Sequence, residues 1–284
     1  MASVMTRMIA AVTLTLSCLC TAPAQTFTVK GPDDLVGLNK KWADTYAGKH
    51  PDFKLEAGGG GVVPAFAALS AHQANVAIVS RSIRYKEAAL CEAAFGQRPT
   101  ELKVGVNGLA VYVNVANPVK VLTYDELFGI FRGKFRNWKE LDGPDAPITL
   151  YGQETNSAVG ELFLEEVLNG KEPSSDLRVL SAADLLRAIG KDVNGIGYGR
   201  LIEAAGARAI AIKRVFSSTP VEPTADAISN RIYPISRYLY CYLNPADHKG
   251  ELKAYLDWIR TDPGQEIVKE AGYYPLPAKF RVTP

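Results

Sequence analysis

The side chains best suited to catalysis are present in this chain but poorly spaced for it. Its three histidines, His50, His72 and His248, form neither a His-x-x-x-His pair nor a His-Glu-x-x-His run, so no zinc ligand set can be drawn. There is no Gly-x-Ser-x-Gly elbow for a nucleophilic serine and no Gly-x-x-x-x-Gly-Lys loop for nucleotide phosphates. The adjacent acids Asp33-Asp34 and Glu165-Glu166 could divide general acid and base work, yet neighbouring acids read first as solvated loop or helix surface. No catalytic residue, metal or cofactor is expected, and the chain is not expected to be an enzyme. The tract Gly58-Gly59-Gly60-Gly61 is either a flexible turn or a strand-to-helix loop whose N–H groups face a ligand.

These residues must be held by α/β architecture. Runs rich in Val, Ile, Tyr and Phe predict strands at 27–30, 53–56, 76–79, 109–115, 148–151, 196–198, 210–212 and 235–243. Between them, Leu35, Leu38, Trp42 and Tyr46 recur near the helical period, as do Tyr124, Leu127, Phe128 and Phe131, and Leu252, Tyr255, Leu256 and Ile259. Alternation of this kind predicts mostly parallel sheet. The strands at 109–115 and 235–243 are long enough to connect two lobes.

Composition narrows the function. The 284 residues carry 47% apolar and 22% charged side chains, which is ordinary globular material. A net charge of +2 is too small for the basic footprint of a nucleic-acid binder. Residues 1–24 have Arg7 as their only charge, an apolar stretch too short to span a bilayer, and Ala22-Pro23-Ala24 at their end. That pattern predicts a signal peptide cleaved before Gln25 and a mature protein outside the cytoplasm. Export leaves Cys91 and Cys241 in an oxidising compartment, as a disulfide or as two buried thiols.

Five blocks resemble the phosphate-binding proteins that serve ABC transporters. They are Gly31-Pro32-Asp33-Asp34-Leu35 with the segment from Trp42 to Tyr46; the glycine tract with Val62, Ala67 to Leu69 and Asn75 to Arg81; Asn117 to Leu141; Pro147 to Phe163; and the motifs at Gly195 to Tyr198, Tyr233 to Arg237 and Gly272 to Pro277. The resemblance implies a bilobal type II periplasmic binding-protein clamshell, two Rossmann-like lobes joined by a two-strand hinge. It places the first lobe at 25–108 and 236–284 and the second at 109–235. It also implies a small-molecule ligand in the cleft, delivery to a membrane permease or other transport or sensor component, and a monomer.

The same resemblance puts Asp33, Asp34, Leu35, Gly61, Val62, Ser80, Arg81, Gln153, Ser157, Ala158 and Val159 at the ligand. Several depart from the family's phosphate chemistry. Asp34 stands where a hydroxyl belongs, Val62 replaces a serine, Gln153 an arginine, and Ser157-Ala158-Val159 a Ser-Gly-Thr run. Like charges at about 4 Å repel by roughly 4 kcal/mol at an effective dielectric of 20. Each lost charge-assisted hydrogen bond removes about 1.5–3 kcal/mol, against about 8 kcal/mol for micromolar binding. The expected ligand is therefore neutral or partly apolar, with Tyr85, Tyr112, Tyr151 and Tyr198 available to line its site, and Arg81 is expected to pair with Asp34 or Asp33. Two alternatives stand beside this: an oxyanion receptor using a rearranged site, and a sensory or partner-binding module with an empty cleft.

Overall fold

The computed structural model describes residues 26–155 and 157–282, so the expected signal peptide lies outside the described residues. Strand β1 (Thr26–Lys30) leads into α1 (Asp33–Ala47), β2 (Lys54–Gly58), α2 (Val62–Ser70), β3 (Val76–Val79), α3 (Tyr85–Phe95) and β4 (Thr100–Gly108). Then come β5 (Ala110–Asn114), β6 (Val121–Thr123), α4 (Tyr124–Phe131), β7 (Thr149–Gly152), α5 (Ala158–Glu166), β8 (Arg178–Val179), α6 (Ala182–Lys191), β9 (Gly195–Gly199), β10 (Ala207–Ala209), β11 (Ala211–Lys213) and α7 (Ala225–Ser229). The chain finishes with β12 (Ser236–Leu243), α8 (Gly250–Trp258) and α9 (Asp262–Glu270).

Two five-stranded sheets, ordered β2-β1-β3-β12-β4 and β10-β5-β9-β7-β8, form the hearts of two lobes. Strands β6 and β11 pair separately. In the first lobe the helical stripe of α1 buries Leu35, Leu38, Trp42 and Tyr46 against β1, α8 and α9, with Trp42 Nε1 donating to the Gly264 carbonyl at 2.8 Å. The opposite face of that sheet packs Phe66 and Leu69 of α2 and Cys91 of α3 on Tyr240 and Tyr242. In the second lobe Phe131, Leu162, Phe163 and Tyr198 share one core, with Phe163 stacked on Tyr198 at 3.6 Å between centroids. Thr123 and Glu126 cap α4 reciprocally, each side chain accepting from the other's backbone N–H.

Three expectations are corrected. The sheets are mixed rather than mostly parallel: β12 runs antiparallel to both β3 and β4, and β5 antiparallel to both β9 and β10. Strand β4, which is absent from the expected strands although Leu102, Val104 and Val106 alternate along it, lies along nearly the whole length of β12, from Ser236 opposite Gly108 to Leu243 opposite Thr100. Consequently the long runs at 109–115 and 235–243 do not bridge the lobes as strands. The chain crosses at the short junctions beside them, where the Leu109 N–H donates to the Ile235 carbonyl at 3.1 Å.

The cysteines are both free and buried. Cys241 faces the α1, α8 and α9 side of the first sheet and Cys91 the α2 and α3 side. The sheet between them forbids the disulfide.

Candidate functional site

Three helix N-termini begin where loops leave sheet strands: α1 after β1, α2 after β2, and α5 after β7. Each carries the unpaired N–H groups and partial positive charge that make helix starts receptive to anions or polar ligand ends. The chain's own acceptors occupy part of that capacity. Asp33, in the first turn of α1, accepts from the Gly60 N–H at 3.1 Å, and the Gly61 N–H is taken by the Gly31 carbonyl at 3.1 Å. Gly60 and Gly61 adopt φ of 113° and 98°, a region that only glycine enters cheaply. The tract is thus a fixed loop tied to α1, with Asp33 filling the place of an external acceptor.

Asp34 accepts from the Tyr273 hydroxyl at 2.9 Å. The Arg200 guanidinium lies over the Tyr273 ring at 4.7 Å and donates to the Gly272 carbonyl, so an arginine of the second lobe reaches across to the first. Burial first, then the charge of Asp34, pushes the Tyr273 hydroxyl well up, leaving it a proton donor at neutral pH.

Arg81 does not pair with Asp33 or Asp34. Its Nη2 and Nη1 donate to Glu87 Oε1 and Oε2 at 2.6 and 2.8 Å, and Glu87 also accepts from the Arg84 N–H at 2.8 Å, capping α3. Six residues of separation make this local pair geometrically easier than a reach to α1. Burial alone would raise the Glu87 carboxyl, but the Arg81 and Arg84 hydrogen bonds carry it below the usual carboxylate range. Ser80 is buried and its hydroxyl accepts from Arg237 Nη2 at 2.9 Å.

On the second lobe, Ser157 caps α5: its Oγ accepts from the Gly160 N–H at 3.0 Å and donates to the Glu154 carbonyl at 2.7 Å. Gln153, Ser157, Ala158 and Val159 border a cavity of about 330 Å³ whose far wall is Leu185, Leu186 and Ile202 and whose rim includes Arg200. One helical turn along α5, the Glu161 carboxylate has no hydrogen-bond partner among the described residues. Its carboxyl is raised by burial first and then by Glu165 and Asp34, with Arg237 and Arg81 pulling the other way. A larger hollow of about 740 Å³ borders Tyr112, residues 201–205 and residues 207–209, but its cation Arg208 is engaged by the Asn117 and Val119 carbonyls, both at 2.7 Å.

The structure brings Gln153, Ser157, Ala158 and Val159 together around one cavity, with Asp34 linked to its rim through Tyr273 and Arg200. It separates others. Leu35 and Val62 are core side chains and offer a ligand only backbone. Tyr112, Tyr151 and Tyr198 are buried in the second lobe, with Tyr151 donating to Asp192 at 2.9 Å, while Tyr85 is 84% exposed. Glu87, Glu161, Arg200, Arg237 and Tyr273 were not marked as site residues by sequence reasoning. The Gly-Tyr-Gly-Arg200 and Tyr-Pro-Ile-Ser-Arg237 runs, each placing an arginine beside a matched motif, were the available signal.

Comparison with known proteins agrees with this architecture. A family model described as a PBP superfamily domain matches residues 21–263. Phosphate-binding protein PstS of Pseudomonas aeruginosa is 30% identical over 266 residues, covering 88% of this chain and 82% of that protein. Phosphate-binding protein PstS of Bacillus subtilis is 28% identical over 252 residues, covering 88% and 80%. Among solved structures, a possible phosphate binding protein from Planctomyces limnophilus aligns with a TM-score of 0.73 at 28% identity, covering 91% of this chain and 95% of that one. This chain belongs to the PBP superfamily, as a phosphate-binding-protein-like substrate-binding protein of ABC transporters.

Proposed function

We propose that this protein is a periplasmic receptor that closes its lobes around a small neutral or partly apolar solute and presents it to a membrane permease or other transport or sensor component. The first lobe is assigned to 25–108 and 236–284 and the second to 109–235. The protein acts as a monomer without a nucleic-acid partner, after removal of residues 1–24.

One observation carries the choice of solute: donors that an oxyanion would use hold carboxylates of the chain itself. Asp33 takes the Gly60 N–H and Glu87 takes both Arg81 nitrogens. Asp34 and Glu161, whose carboxylate has no hydrogen bond among the described residues, add negative charge that acts on the same region. The cavity beside Ser157, walled by Val159, Leu185, Leu186 and Ile202, suits an apolar body with a polar end directed at Ser157 and Gln153.

A second reading, phosphate, is favoured by Arg200 on the rim of that cavity beside the α5 N-terminus and by the similarity of the chain to phosphate-binding proteins. Isothermal titration of the purified protein with inorganic phosphate separates the two. No heat from the unaltered protein, with binding gained by a Gln153→Arg, Val159→Thr variant, supports a neutral solute. Micromolar binding by the unaltered protein overturns that reading and restores phosphate.

A further inference from the structure

The carboxylates at the C-terminal end of α5 do something the solute site does not require. Glu165 sits one helical turn beyond Glu161, on the same face of α5, and reaches from the second lobe to two arginines of the first. Its Oε2 is bound by Arg237 Nη1 and its Oε1 lies 3.1 Å from Arg84 Nη2. Arg237, on β12, has only 5% of its side chain exposed, and its other terminal nitrogen donates to Ser80. Glu166 adds a more distant contact at 3.7 Å.

We infer that Glu165 is an internal anion which occupies the interlobe arginines Arg84 and Arg237, holding the cleft closed without solute and selecting against anionic solutes. The inference deepens the neutral-solute reading and rests on it for its selectivity half. With Glu165 on one terminal nitrogen and the Ser80 hydroxyl on the other, the Arg237 charge is already neutralised by a carboxylate, so the guanidinium attracts a visiting anion far less than an uncompensated one would. Buried Arg237 without Glu165 would be left with Ser80 and the distant Glu166, a poorly compensated charge that an external oxyanion could satisfy. The bridge also adds a favourable interlobe contact that is lost on opening, so the solute-free equilibrium leans toward the closed form.

Purified wild type, Glu165→Gln and Glu166→Gln are compared by small-angle X-ray scattering without solute and by titration with inorganic phosphate. The expected result is a larger radius of gyration for Glu165→Gln and at least a tenfold gain in its phosphate affinity over wild type, with Glu166→Gln near wild type in both. An unchanged radius of gyration, or an affinity ratio near one, overturns the inference. Should Glu165→Gln fail to fold, Arg84→Gln severs the exposed half of the bridge without touching Arg237 and must itself expand the molecule. The absolute phosphate affinity of wild type tests the neutral-solute reading, whereas the ratio between variant and wild type tests Glu165, so the two fail separately.

Discussion

Arg81 and Glu87 meet through two parallel hydrogen bonds, of 2.6 and 2.8 Å, with both side chains only about a tenth exposed. The pair ties the end of β3 to the first turn of α3 and removes a guanidinium from the cleft. Glu87→Ala is expected to lower stability by about 3 kcal/mol, because it strands a largely buried arginine and uncaps a helix. With its folded pKa depressed, Glu87 contributes stability that is present above the unfolded carboxylate pKa and lost as pH falls through the folded value. Urea unfolding of wild type and variant should therefore converge in acid. Arg81→Ala should destabilise similarly without changing phosphate affinity.

Glu161 predicts the opposite sign. Its pKa is raised in the folded state, so its ionised form is disfavoured there, and stability grows as pH falls through the folded value toward the unfolded one. Glu161→Gln should raise the melting temperature at pH 7, by about 2–4 °C for each kcal/mol recovered in a chain of this size. The advantage should vanish in acid, where wild type is itself protonated. Calorimetric scans across pH would show the two curves meeting; a variant less stable than wild type at neutral pH contradicts the assignment.

The thiols offer a chemical check. Burial pushes Cys91 up to about 11 and Cys241 up to about 12, so neither presents thiolate at pH 8. A protein beginning at Gln25 should leave a thiol reagent unreacted while native and yield two equivalents once unfolded without reductant. Fewer than two would mean that the sheet does not separate them.

The start of α5 is sterically exacting. Ser157→Ala removes a cap and should cost about 1 kcal/mol. Gly160→Ala should cost more, since a Cβ there would stand 2.0 Å from the Glu154 carbonyl oxygen and 2.8 Å from its carbon. Equilibrium denaturation would rank the two, and the glycine variant should also lose solute binding by shifting the loop that carries Gln153.

Much of the architecture was legible because it is written locally. The 35, 38, 42, 46 stripe buries as a helix face must, and the apolar run at 76–79 becomes a fully buried strand. Strand β4 is marked by the alternation of Leu102, Val104 and Val106, but Gly105 within that run weakens the strand signal; a Cβ at Gly105 would come within 3.3 Å of Leu239 and Val268, a demand made by partners far along the chain. The placement of Ser157 and Gln153 beside one cavity was legible, because a cap and a loop act in sequence order. The partners of Arg81, Asp34 and Arg237 were not, since charge pairing depends on which acid arrives within reach, and Glu87, Tyr273 and Glu165 arrive from three different elements.

Strand β12 lies between β3 and β4 in the first sheet, pairing with both. Without it, β4 has no neighbour in that sheet, and the face that holds Phe66 and Cys91 lacks Tyr240 and Tyr242. During synthesis, therefore, the first hundred or so residues cannot complete their lobe when they emerge. They must wait until residue 243 is available, so this lobe, although it begins the chain, is the last to be finished.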